Sequence, residues 1–170
     1  HFLVAGSGPS EQEIENFCRQ RSVQNRVHLI GVRQGQELVD AYHAMDVFAF
    51  ASTSETQGMV LTEAMAAGVP VVAIDAPGAR EVVVDRINGR LLSTQDYDSF
   101  SAALAWIANH RELAALHRAA RETANKFSMS RCADRALEFY QSLIVADRIA
   151  TGDFNLHHQS SWESTLRLID

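Results

Sequence analysis

The stretch from Ser52 to Glu63 concentrates the chemistry of this chain. Two carboxylates, Glu55 and Glu63, stand eight positions apart, with Gly58, Met59 and Val60 between them. An apolar run at residues 47–51 precedes the pair, and a small-residue helical pattern follows, so a helix is predicted to start near Gly58. The first amides of a helix have no intrahelical acceptor and sit at the positive end of its dipole. The amides of Gly58, Met59 and Val60 therefore form a seat for an anion such as a diphosphate. Gly58 is expected to remove the side chain that would block its approach. Each carboxylate can accept two hydroxyl hydrogen bonds. One of the two can reach beyond the phosphate toward a sugar, and the other back toward ribose hydroxyls. Taken alone, Glu55 reads equally as a solvated loop carboxylate, and Glu63 as a residue favoured by the helix dipole.

Three further loops follow apolar runs. Gly6-Ser7-Gly8-Pro9 begins like a dinucleotide fingerprint, but Glu11 stands where the third glycine belongs. A tight turn is the plainer reading, although Gly6 and Gly8 would let a backbone come close to a ligand. Val32 and Arg33 precede the next helical pattern. A guanidinium there can stack on a base or pair with a phosphate, or simply be solvated. In the loop from Asp75 to Glu81, Arg80 and Glu81 read as a helix-surface ion pair. No G-x-S-x-G or H-E-x-x-H can be written. Only one of the 15 basic residues, Lys126, is a lysine, so there is no G-x-x-x-x-G-K phosphate loop either. The adjacent His157 and His158 read as surface histidines rather than metal ligands.

The elements that must position these loops alternate. Apolar runs at residues 2–5, 27–30, 47–51 and 69–74 show little polar alternation, the pattern of strands buried on both faces, and a weaker run lies at 90–92. Helical patterns at 10–23, 36–45, 58–67 and 78–84 lie between them. Ser10 followed by Glu13 suggests a capping box. Leu38, Tyr42 and Met45 mark one apolar helix face. Gly68-Val69-Pro70 ends one helix and opens the next strand. This β-α-β-α order predicts an α/β fold: a Rossmann-like open parallel sheet with helices on both faces, whose ligands bind at the carboxyl ends of the strands. Three consecutive helices follow, at 96–110, 111–126 and 130–149, the last capped by Ser130. A final segment, 160–169, spaces Trp162, Leu166 and Ile169 as a helical stripe.

At 170 residues, 46% hydrophobic and 21% charged, the chain has the composition of one domain with an apolar core. Its formal charge of −6 argues against a general nucleic-acid binder. No apolar run approaches the ~20 residues of a membrane-spanning helix. Cys18 and Cys132 are far apart and form no metal-ligand pair, which fits a reduced compartment. The chain starts without Met and with a strand under way at residue 2, so it is expected to be a fragment of something longer.

Residues 27–92 resemble the C-terminal, donor-binding half of group-one (family-four) retaining glycosyltransferases of the GT-B fold. The carrying motif is Glu55, seven residues, Glu63, with Gly58 between and Ala64-Met65-Ala66-Ala67-Gly68-Val69-Pro70 after it. A weaker match runs back to Gly6-Ser7-Gly8 and forward to about residue 149. The resemblance implies transfer of a sugar from a UDP- or GDP-linked donor to a glycan, lipid or small acceptor, with retention. It implies no metal and no other cofactor. It makes Glu55 the catalytic glutamate that holds the transferred sugar, and Glu63 the one that binds ribose. Gly58, Met59 and Val60 match the amides at the sugar and diphosphate. Val32 and Arg33 match the loop bordering the base, Gly78 and Glu81 the next loop along, and Gly6 and Gly8 the first glycine turn.

Gln57 stands where the family commonly has an aromatic residue, and Ala51 where it often has Pro. The family's first strand, with its Gly-Arg and Lys-Gly cations, would precede residue 1, and so would an acceptor-binding N-terminal domain. The expected division is therefore 1–149 as a nucleotide-sugar-binding domain lacking its first strand, and 150–170 as an extension packing on that N-terminal domain. An opened sheet edge beside residues 2–5 invites a partner chain or homodimerisation. A cytoplasmic location is expected, with peripheral membrane contact allowed in the parent protein. Two other readings stay open: a catalytically inert nucleotide-binding fragment, and a GT-B-type nucleotide-sugar epimerase.

Overall fold

The computed structural model describes residues 1–54 and 56–151, with side chains to residue 146. The first unit, His1–Phe127, alternates strands and helices in the expected order. These are β1 (Phe2–Ala5), α1 (Glu11–Gln20), β2 (Val27–Gly31), α2 (Gly35–His43), β3 (Phe48–Phe50), α3 (Met59–Ala66), β4 (Val71–Ile74), α4 (Pro77–Val82) and β5 (Gly89–Leu92). Two longer helices follow, α5 (Tyr97–Ala108) and α6 (Leu113–Lys126). Of the second unit, the described part is one helix, α7 (Met129–Thr151). It begins just before the predicted Ser130 cap, and the Cys132 amide donates to the Ser128 carbonyl at 2.9 Å. The segment carrying Trp162, Leu166 and Ile169 lies outside the described residues, as do His157 and His158.

Every ladder is parallel, but the expected single sheet is divided in two. β1 pairs with β2, and β3, β4 and β5 form a second sheet in that order. No ladder joins β1 to β3 among the described residues. This changes the burial expected from the sequence. Among the described strands only β4 is buried at every position, whereas β1 is exposed at both ends and β3 is half-buried. A strand is buried on both faces only where it has a neighbour on each side and helices above and below, and β4 meets both conditions. Its Val71 and Ala73 pack with Leu61, Met65 and Ala120 on one face. Its Val72 and Ile74 pack with Ala103, Ile107 and Leu116 on the other.

The helix boundaries follow local chemistry. α3 ends where Gly68 and Val69 donate to the Met65 and Ala64 carbonyls at 2.9 and 3.0 Å. Asp96 caps α5 by accepting from the Ser99 amide at 2.7 Å. The predicted capping box at Ser10 is not made: Ser10 precedes α1, but its side chain accepts no capping bond.

The turn into β5 is held by Asn88, which is fully buried. Its side chain accepts from the Val84 amide (2.8 Å) and donates to the Val82 carbonyl (2.9 Å) and to Thr123 Oγ1 (2.9 Å). Replacing it with alanine removes three hydrogen bonds and leaves the buried Val82 carbonyl without this partner, so Asn88→Ala is expected to lower stability by about 2–3 kcal/mol. Urea unfolding measures this, and a change within experimental error would show that the turn holds without Asn88. None of the described helices is long and apolar enough to cross a membrane.

Candidate functional site

Because all strands are parallel, the loops after β1, β2, β3 and β4 emerge at the same ends of their sheets. The loop after β3 leads into α3 through Gly58, which is buried and adopts a left-handed conformation (φ +67°). The first intrahelical bonds run from the Leu61 and Thr62 amides to the Gly58 carbonyl, both at 3.0 Å. The Met59 and Val60 amides come before that ladder begins, where the helix dipole is positive. Leu61, Ala64 and Met65 are wholly buried, so α3 is seated firmly with its N-terminus at the strand ends.

The fold gives Gly58 a second reason to carry no side chain. A β-carbon at this position would lie 2.7 Å from the Gly78 carbonyl oxygen and 3.1 Å from Val82 Cγ2. One at Gly78 would lie 2.8 Å from the Gln57 and Gly58 amide nitrogens. The two glycines thus let the β3–α3 loop and the start of α4 touch backbone to backbone. They open space for each other.

Glu63 lies one turn into α3 and is exposed. Its Oε2 accepts a hydrogen bond of 2.9 Å from the hydroxyl of Tyr42, a buried residue near the end of α2. Tyr42 packs edge-on against Phe48 of β3, with ring centroids 5.8 Å apart. Burial, then the hydrogen bond to Glu63 and its charge, push the Tyr42 phenol well above the ordinary range, so it remains a donor. The expected apolar face of α2 is present, since Leu38 and Met45 pack on the same core. In the sequence, Tyr42 stands out only as part of that face. The available signal was its hydroxyl, which needs a partner once the ring is buried.

The other glycine loop lies with β1 and β2. The Gly6 amide donates to the Gly31 carbonyl at 2.9 Å, tying the two loops together. A cavity of about 320 Å³ is lined there by Gly6, Ser7, Gly8 and Pro9 with Ile14 and Leu29. The α-carbons of Gly6 and Gly8 face open space. Val32 is exposed, and Arg33 pairs with Glu37 of α2 at 3.3 Å. Arg80 does not pair with Glu81 as expected. It reaches back across the loop to Asp75 at 2.8 Å, because a residue in the last turn of so short a helix lies over the loop that enters it. The structure therefore gathers Gly6, Gly8, Val32 and Arg33 into one group, and Gly58, Met59, Val60 and Glu63 into another. α2 runs from the first group to the second. Glu55 lies outside the described residues. Among those residues, no group of three His, Cys, Asp or Glu side chains is placed to hold a metal.

The family model described as "Glycosyl transferases group 1" matches residues 1–126. The chain belongs to this glycosyltransferase family. It is 38% identical over 153 residues to D-inositol 3-phosphate glycosyltransferase of Saccharomonospora viridis, covering 86% of this chain and 35% of that protein. It is 35% identical over 114 residues to GDP-mannose-dependent alpha-mannosyltransferase of Mycobacterium tuberculosis, covering 66% of this chain and 30% of that one. The chain spans about a third of the length of the curated relatives it matches.

Among solved structures, Anabaena HepE in complex with UDP superposes with a TM-score of 0.70 at 27% identity, covering 82% of this chain and 40% of that one. The pneumococcal O-GlcNAc transferase GtfA, in complex with UDP and GlcNAc, gives 0.72 at 22% identity over 84% of this chain and 29% of that one, a likeness of fold. The parallel, Rossmann-like α/β arrangement is thus the one found in GT-B glycosyltransferases. The family match takes in every predicted donor-site residue, from Gly6 to Glu63.

Proposed function

We propose that this group 1 glycosyltransferase chain is the donor-binding part of an enzyme that transfers a sugar from a UDP- or GDP-sugar, with retention, to a glycan, lipid or small acceptor. One observation carries the reading most. An exposed carboxylate, Glu63, is held by a buried tyrosine one turn behind a helix N-terminus at the carboxyl end of a parallel sheet. In this reading an anion seat and a diol acceptor stand side by side, the combination a nucleoside diphosphate requires. In this reading the Met59 and Val60 amides meet the diphosphate, and Glu63 takes the ribose. Val32 and Arg33 border the base, Gly6 and Gly8 let the first loop approach the donor, and Glu55 holds the transferred sugar. UDP and GlcNAc in the complex of pneumococcal GtfA, and UDP in that of HepE, support this donor class.

The leaving diphosphate is stabilised by preorganised amides and cationic side chains rather than by a metal. The acceptor is bound by a further domain of the intact enzyme, and the reaction runs in the cytoplasm. Fractionation of cells expressing the intact protein tests that location, and recovery only from a secreted fraction would overturn it.

Titration calorimetry of the 170-residue chain tests the donor site. UDP or GDP should bind more tightly than UMP or GMP, and the affinity should be the same in EDTA as in Mg²⁺. Equal affinity for the mono- and diphosphates would remove the amide seat from the proposal. A requirement for Mg²⁺ would remove its metal independence. The chain by itself is expected to bind without turning over, so measurable transfer by the isolated chain would contradict the assignment of the acceptor site to another domain.

A further inference from the structure

We propose that Tyr42 is a positioning residue for donor binding, its buried hydroxyl holding one oxygen of Glu63 so that the other is presented to the nucleotide ribose. The inference rests on the donor reading above and adds a residue to it. Glu63 is exposed, and a glutamate on an open helix face samples several rotamers. Here Oε2 is bound at 2.9 Å by the Tyr42 hydroxyl. That hydroxyl is itself immobile, because the tyrosine is only 8% exposed and its ring lies against Phe48. Among the described residues Oε1 has no hydrogen-bond partner.

The carboxylate is thus anchored on one side and open on the other. An acceptor fixed in advance loses less rotamer freedom when it takes up a hydroxyl pair, and the saving appears directly as affinity. The geometry also links the two halves of the site. Tyr42 lies near the end of α2, whose beginning carries Glu37, the partner of Arg33. A single helix therefore sets both the base-bordering loop and the ribose acceptor.

The test is Tyr42→Phe in the 170-residue chain, which keeps the ring and removes only the hydroxyl. Affinity is measured by calorimetry for UDP and GDP and for their 2′,3′-dideoxy counterparts, with thermal unfolding to verify folding. The wild type is expected to prefer the ribonucleotides. Tyr42→Phe is expected to weaken ribonucleotide binding roughly two- to ten-fold while leaving the dideoxy compounds unaffected. In a Glu63→Ala background the tyrosine substitution should add nothing, since its effect passes through that carboxylate.

If Tyr42→Phe keeps the full ribose preference, the positioning role is overturned while the Glu63 assignment stands. Equal weakening of both nucleotide forms would mark a purely structural residue and overturn it too. A wild type that does not distinguish the two forms would remove Glu63 from the ribose, and the Tyr42 proposal with it. Should Tyr42→Phe fail to fold, Glu63→Gln supplies the second arm. Its amide accepts from Tyr42 through one atom only, so an unchanged ribose preference in that variant would also count against the proposal.

Discussion

Gly58→Ala is expected to lower the unfolding free energy of the chain by about 2–5 kcal/mol. Two effects add at this position. An alanine at φ +67° adopts the left-handed region at a cost of about 1–2 kcal/mol. Its β-carbon would also lie 2.7 Å from the Gly78 carbonyl oxygen, which is backbone and cannot rotate away. Relieving that overlap means moving α4 or the β3–α3 loop, and such overpacking typically costs about 1–3 kcal/mol. Urea unfolding of the two proteins measures the difference. Gly8→Ala is the control, because a β-carbon there meets nothing within 4 Å and its φ lies outside the left-handed region. Gly8→Ala should unfold at nearly the wild-type midpoint. If Gly58→Ala does the same, the backbone contact between the two loops is not tight in solution. The substitution should also weaken nucleoside diphosphate binding, since the loop that shifts carries the Met59 and Val60 amides.

Glu55→Ala is expected to reduce sugar transfer by the intact enzyme roughly 10²- to 10³-fold, the scale seen when one preorganised transition-state contact is lost. The resemblance of its motif to that of group 1 glycosyltransferases implies that Glu55 holds the hydroxyls of the moving sugar. A contact of that kind orients the anomeric carbon and strengthens as charge develops there, so its loss falls on kcat as well as KM. Binding of bare UDP or GDP should be unaffected, because neither carries the sugar. Glu63→Ala should behave in the opposite way, weakening the bare nucleotide. Near-normal turnover by Glu55→Ala would remove Glu55 from the transferred sugar, and a loss confined to nucleotide affinity would reverse the two assignments.

Much of this architecture was legible in the residues. The order of strands and helices follows from the change between unbroken apolar runs and helical spacing, and the boundary of α3 from Gly58 and Gly68. The Glu55–Glu63 motif with its intervening glycine led to the family that matches residues 1–126. Periodicity and caps are local properties, and a sequence displays them directly. Side-chain partners depart from the local pattern: Arg80 binds Asp75 rather than its neighbour Glu81, and the Ser10 side chain makes no capping bond.

The sequence by itself determined the alternation of elements, the parallel α/β class and the placement of the two glutamates around a helix start. The tertiary structure decided the rest. It divided the described strands into two sheets between β1 and β3, and among them β4 alone is buried throughout. It showed that Gly58 makes room for Gly78, and that Tyr42 of α2 holds Glu63 of α3. These residue pairs are about twenty positions apart in the chain. Their meeting depends on how helices settle on a twisted sheet, a consequence of packing that neither side chain carries in its own local pattern.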